Sequence, residues 1–179
     1  MDDDKLMLDA RKGSKAPMEL LVMLHYNEIH AYAARRTGSA HAAEDIAQIT
    51  FEKLVRALQN YRPMGRFRQW LFTIASNAIN EYFRRYETHD PLPEEVCDEC
   101  DTVRLLIKRE EYKRVRQSVL ALPANQQEAL VLFYYHDMSL KDIAQITGTN
   151  INTVKSRLRR GMEKLRDELE AERVEEQMG

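Results

Sequence analysis

Residues 139–166 of this 179-residue chain run S-L-K-D-I-A-Q-I-T-G-T-N-I-N-T-V-K-S-R-L-R-R-G-M-E-K-L-R, and that order leaves few local folds open. Ser139 can cap a first helix, and Asp142, three residues on, completes a capping box. Ile143, Ala144 and Ile146 give that helix a narrow apolar face. Gly148 supplies a tight turn, and Asn150 is a good N-cap for a second helix starting at Ile151. Val154, Leu158, Met162 and Leu165 recur at four- and three-residue spacing, which predicts the buried stripe. Thr153, Lys155, Ser156, Arg157, Arg159 and Arg160 then face outward. A slim helix with short polar and basic residues near its start suits a DNA major groove. An ordinary helical hairpin with a solvated basic face is the plainer alternative. Cap, turn and cation placement together favour the groove.

The rest of the chain reads as all-α. It has only 6 Gly and 5 Pro, and few runs of alternating apolar residues. A hydrophobic share of 44% is enough for real cores, and a charged share of 31% fits exposed helices. No apolar stretch approaches the roughly 20 residues that span a bilayer. The start, Met1-Asp2-Asp3-Asp4-Lys5, is acidic and unlike a signal peptide. The expectation is a cytoplasmic protein with no membrane insertion.

A net charge of −2 looks wrong for a DNA-binding protein until it is resolved along the chain. Arg62, Arg66, Arg68, Arg84 and Arg85 make one basic zone, opposed by Glu81. Lys155, Arg157, Arg159, Arg160, Lys164 and Arg166 make another, opposed by Glu163. Acid is gathered between Glu87 and Asp101 and again from Asp167 to Glu176. Binding to phosphates is steered by such patches rather than by the sum.

Four helical patterns precede the middle of the chain. A weak one comes before Pro17. The second carries Leu20, Leu21, Leu24, Ile29 and Tyr32 and stops at Gly38. Ser39 caps the third, which carries Ile46, Ile49, Leu54, Val55 and Leu58. Asn60 to Arg66 interrupts with Pro and Gly, and the fourth carries Phe67, Trp70, Leu71, Ile74, Ala78, Ile79, Tyr82 and Phe83. Residues 87–101, E-T-H-D-P-L-P-E-E-V-C-D-E-C-D, lose periodicity and read as an acidic linker. Thr102 would cap a helix that ends at Leu122-Pro123, and Gln126 to Tyr135 forms another. The expected architecture is two small helical domains, 1–86 and 102–170, on a flexible linker over 87–101, with an acidic tail over 171–179.

The segment Tyr61-Arg62-Pro63-Met64-Gly65-Arg66-Phe67-Arg68-Gln69-Trp70 interleaves aromatic rings with guanidinium groups around a stiffened loop. Single-stranded bases stack on aromatic faces at about 1–3 kcal/mol each, while Arg follows the backbone. Asn77, Asn80 and Arg84 share a helical face. Duplex DNA, already stacked, needs no aromatic platform, so an unpaired or melting strand is the expected ligand. Core packing competes for the same rings. Phe67, Trp70, Leu71, Ile74 and Phe83 have core spacing, whereas Tyr61, Arg62, Met64 and Arg66 lie in the loop.

A helical domain with an aromatic–basic segment, an acidic linker and a terminal helix-turn-helix resembles the sigma-70 family of bacterial RNA polymerase sigma factors. The compact extracytoplasmic-function group is the nearest likeness. Ala43 to Phe51 (A-E-D-I-A-Q-I-T-F) is similar to the family's polymerase-docking segment. The resemblance implies contacts from Asp45, Gln48, Phe51 and Glu52 to the clamp coiled coil of the largest polymerase subunit. Tyr61 to Leu71, Ile74-Ala75-x-Asn77 and Arg84-Arg85 are similar to its promoter-melting, −10-reading segment. That implies −10 contacts from Tyr61, Arg62, Met64, Arg66, Phe67, Trp70, Asn77, Asn80, Arg84 and Arg85. Leu122 to Gln126 through Leu158-x-Arg160 is similar to its −35-reading domain, which implies −35 contacts from Thr153, Lys155, Ser156, Arg157, Arg159 and Arg160. Ile49, Asn80 and Pro63-Met64 depart from the family's usual residues. The resemblance also implies an anti-sigma partner and a linker that threads toward the polymerase active site; the residues themselves offer no catalytic constellation, so no enzymatic activity is expected.

Cys97-x-x-Cys100 has metal or redox spacing, with His89 as a possible third ligand, but a closed zinc site needs four. No metal and no cofactor is expected, and neither a nucleotide-binding glycine loop nor a catalytic triad is evident. Two other readings remain open. One is a conventional helix-turn-helix regulator with an N-terminal sensor domain; the other is an interaction protein that sequesters another factor. The 61–85 cluster separates the first of these, since a sensor does not need it.

Overall fold

A computed structural model describes residues 2–86 and 105–178, with side chains over 2–85 and 113–171. The linker, its two cysteines, His89, Thr102 and most tail side chains lie outside the described residues. Every regular element among the described residues is helical, and the chain divides into two compact units.

The N-terminal unit comprises α1 (Asp3–Arg11), α2 (Lys15–Thr37), α3 (Ala40–Ala57), a single 3-10 turn (Leu58–Asn60) and α4 (Phe67–Tyr86). Asp2 caps α1, its carboxylate accepting the Asp4 N–H at 3.2 Å. Pro17 sits in the first turn of α2, where its missing N–H costs nothing. Between α2 and α3 the chain turns in two residues. The Gly38 N–H closes onto the Ala34 carbonyl at 2.9 Å, and Ser39 Oγ accepts the Ala42 N–H at 3.2 Å. Helices α2, α3 and α4 pack on one another and α1 packs on α2. Leu21, Ile29, Tyr32, Ile46, Leu54, Leu71, Phe72 and Ile79 are fully buried between them. Arg36 is buried too, its guanidinium 5.8 Å from the centre of the Phe83 ring.

Two core expectations fail here. Leu24 is 45% exposed and Val55 is 50% exposed. Both have apolar spacing, but helical period identifies an apolar face without saying whether the protein covers it. Phe72, absent from the expected core, is fully buried against Tyr32 at 5.1 Å between ring centres.

α1 is tied to α2 by an ionic contact as well as by buried Met7. His25 of α2 places Nε2 3.2 Å from the Asp3 carboxylate and Nδ1 3.9 Å from that of Glu28. Glu28 is the largest influence and raises the imidazole pKa; burial opposes it, and Asp3 adds to the rise. A raised folded-state pKa means this stabilisation is complete below the unfolded value of about 6.5 and lost as pH climbs through the folded value. The melting temperature of the N-terminal unit should therefore fall as pH rises above about 6.5. His25→Gln should flatten that profile in a series of thermal melts followed by fluorescence.

The C-terminal unit comprises α5 (Leu105–Leu120), α6 (Ala124–Leu130), a π-helical turn (Val131–Tyr135), α7 (Leu140–Ile146) and α8 (Ile151–Met178). α6 and α5 both pack on α8. The buried stripe of α8 differs from expectation. Val154 and Leu165 are buried, Leu158 is half-buried, and Met162 is 37% exposed. Gly161 takes the place expected for Met162 and lets α6 approach. A Cβ there would lie 2.8 Å from Leu130 Cδ1 and 3.5 Å from Gln126 Cβ. Among the described residues, no helix is long and apolar enough to cross a membrane.

Candidate nucleic-acid interface

The helix-turn-helix is built as its sequence dictates. Ser139 Oγ accepts the Asp142 N–H at 3.2 Å, and the Asp142 carboxylate accepts the Ser139 N–H at 3.3 Å and its hydroxyl at 2.6 Å. Gly148 has φ +63°, a left-handed conformation that side-chain-bearing residues rarely adopt, and the Thr149 N–H closes onto the Ala144 carbonyl at 2.9 Å. Asn150 Oδ1 accepts both the Thr153 N–H at 2.8 Å and its hydroxyl at 3.1 Å. With Ile143, Ala144, Ile146 and Val154 buried, the opposite face of α8 is left to solvent. Lys155, Arg159 and Arg160 are exposed; Thr153, Ser156 and Arg157 are partly so. Arg159 lies 3.9 Å from Glu163, but such an exposed pair is weak and screened, so the guanidinium remains available to another anion.

The aromatic–basic loop is more differentiated than its sequence. Arg62, Met64 and Arg66 are exposed, Met64 by 73%. Tyr61 and Phe67 are buried. The Tyr61 ring lies 4.8 Å from Trp70 and 6.1 Å from Phe67, and its hydroxyl donates to the Asp4 carboxylate. Burial first, and then Asp4, raise the Tyr61 pKa well above the ordinary phenol range, so the hydroxyl keeps its proton. Burial closes stacking on a base to Tyr61 and Phe67 in this conformation, while Trp70 is only half-buried. On α4, Asn77, Asn80, Arg84 and Arg85 are all exposed, and Arg85 is bound at 3.1 Å to Glu81, which also takes Lys53 at 2.9 Å. Asn77, Asn80 and Arg84 form the shared polar face that their spacing predicts.

A third feature is a groove of about 750 Å³ between α2 and α3. Asp45, Gln48 and Glu52 are exposed along it, and Gln48 Nε2 donates to Glu52 at 3.0 Å. Phe51 is 7% exposed and forms the floor, with the Tyr26 ring lying nearly parallel to it at 6.2 Å. Val22, Tyr26 and Val55 complete the apolar lining and Arg56 closes one end. Exposed Val55 thus belongs to a surface rather than to the core.

Residues 21–88 match the family described as Sigma-70 region 2, and residues 112–165 match Sigma-70, region 4. Together these cover well over half of the chain, in the family's order. The chain belongs to the sigma-70 family. Within it, the likeness is to the extracytoplasmic-function group of sigma factors. The chain is 31% identical over 175 residues to the ECF RNA polymerase sigma factor SigE of Mycolicibacterium smegmatis, covering 88% of this chain and 64% of that one. It is 27% identical to the ECF RNA polymerase sigma factor SigW of Bacillus subtilis, covering 92% of this chain and 95% of the relative. The structure of CnrH in complex with the cytosolic domain of CnrY superposes with a TM-score of 0.72 at 27% identity, covering 96% and 99% of the two chains.

In sigma-70 terms, the described region 2 is the N-terminal unit and the described region 4 is the C-terminal unit. Sequence reasoning named the α3 side of the region 2 groove and missed the α2 side. Tyr26 is the residue that a pairing of Phe51 with an aromatic about one helix's length earlier could have flagged. It also missed Asp4 and Arg11, which reach the loop from α1. No local signal in the α1 sequence announces that contact.

Proposed function

We propose that this sigma factor binds core RNA polymerase and directs initiation at promoters carrying its own −35 and −10 elements. In this reading the groove between α2 and α3 receives the clamp coiled coil, with Asp45, Gln48 and Glu52 at its rim and Phe51 as its floor. Arg62, Met64 and Arg66 meet the melting −10 strand. Asn77, Asn80, Arg84 and Arg85 follow it along α4, and α8 enters the major groove of the −35 duplex. The protein contributes binding and strand separation rather than bond chemistry, and it works in the cytoplasm with the polymerase. An anti-sigma partner that covers the α2–α3 groove is part of the proposal; the exposure of Val55 and Tyr26 supports it, as does the complex in which CnrH was solved.

The observation that carries the reading is the loop at 61–66. It presents two cations and a 73% exposed methionine on a frame of buried aromatics. A sensor domain feeding a conventional regulator has no use for that surface. Transcription in vitro with core polymerase on a pool of randomised promoters tests it. Transcripts that start from a shared −35/−10 pair support the sigma reading. Silence with an active core, together with tight duplex binding by the protein alone, favours the regulator.

Arg159→Ala gives a finer check within that assay. Loss of a guanidinium that meets a base edge costs about 1–3 kcal/mol and relaxes preference at one −35 position. Loss of a phosphate contact instead weakens all promoters alike and lowers the salt dependence of binding.

A further inference from the structure

One carboxylate holds both ends of the exposed loop. Asp4 Oδ1 accepts the Tyr61 hydroxyl, and Asp4 Oδ2 accepts the Gly65 N–H at 2.6 Å. Arg11, two turns further along α1, donates from Nη1 to the Tyr61 carbonyl at 3.4 Å. α1 is itself fixed to α2 by fully buried Met7 and by the Asp3–His25 contact. Gly65 has φ +66°, a left-handed conformation that most residues avoid. The contacts approach the loop through the Tyr61 ring and the backbone, and they leave Arg62, Met64 and Arg66 exposed. A strap that hid the loop would have buried those side chains.

We propose that Asp4 is a positioning residue for −10 recognition, and that α1 braces the loop in the conformation that presents Arg62, Met64 and Arg66 to the unpaired strand. The inference rests on the reading that this loop meets the promoter. Its physical content is pre-organisation: an unbraced loop must lose conformational freedom as the strand binds, whereas a braced one has already lost it.

The test uses the full chain with core polymerase. Open-complex formation is followed on a duplex promoter and on the same promoter premelted across its −10 element. Asp4→Ala should lower open-complex formation on the duplex roughly tenfold, as expected when two charge-assisted hydrogen bonds are lost. It should also flatten the preference among −10 bases. Competition with the wild-type protein for core polymerase and −35 preference should be unchanged, and the premelted template should recover much of the loss. Tyr61→Phe keeps the ring against Trp70 and removes only the hydroxyl. It should give a smaller loss alone and almost none when added to Asp4→Ala. Unaltered −10 discrimination in Asp4→Ala overturns the proposal, and so does increased transcription, which would make α1 an occluding strap. Should Asp4→Ala unfold the N-terminal unit, Tyr61→Phe decides, with unaltered −10 discrimination again overturning it. A wild-type protein that shows no −10 dependence with active core polymerase sinks the promoter reading itself, and the brace with it.

Discussion

Phe72→Ala is expected to destabilise the N-terminal unit by about 3–5 kcal/mol, the usual cost of emptying a fully buried aromatic site. Phe72 is 0% exposed, packs on Tyr32 and carries the Arg68 guanidinium 5.4 Å from its ring centre. Truncation removes the ring from the α2–α4 contact and leaves Arg68 over a void. Small domains have a total stability of about 5–15 kcal/mol, so the loss is a large part of what there is. Trp70 is the single tryptophan and lies in the same helix, so urea unfolding followed by its fluorescence reports this unit directly. The midpoint should fall with little change in slope. An unmoved midpoint would mean that the α2–α4 contact is not what holds the bundle.

The second large effect is expected at Gly161. Leucine there sets four carbons against Leu130, which is 3% exposed and has no route into solvent. Overpacking of that kind costs about 2–3 kcal/mol. Alanine is the informative control. Its single methyl meets Leu130 at 2.8 Å, but it also gains about 1 kcal/mol of helix propensity over glycine. Those opposing contributions nearly cancel, so Gly161→Ala should melt close to the wild type while Gly161→Leu melts far below it. Circular dichroism on the two variants separates them. Equal melting temperatures would show that α6 can move away from α8 at little cost.

What the sequence made legible is what depends on neighbours in the chain. The capping box at Ser139 and Asp142, the turn at Gly148 and the cap at Asn150 involve residues within a few positions of one another, and all three stand as read. The polar face of Asn77, Asn80 and Arg84 is a matter of helical period alone. Three features were illegible, each for its own reason. Tyr61 reads as a loop aromatic free to stack, but a carboxylate 57 residues earlier turns it inward. Leu24 and Val55 have core spacing, and period cannot distinguish a face that the protein buries from one it leaves open. Gly161 carries no hydropathy, so apolar spacing alone completes the stripe on α8 with Met162, one residue along. The steric requirement for a glycine appears only when α6 lies against that position.

The Asp4 contact also has a consequence for synthesis. The residues it holds are 57 and 61 positions further along the chain. At a typical 5–20 residues per second the ribosome needs about 3–12 seconds to make that stretch. For that interval the carboxylate of α1 exists without its loop. A pause placed before Tyr61 lengthens the interval and a faster codon run shortens it, so the order of translation, rather than the final energy alone, governs how long this helix waits for its last partner.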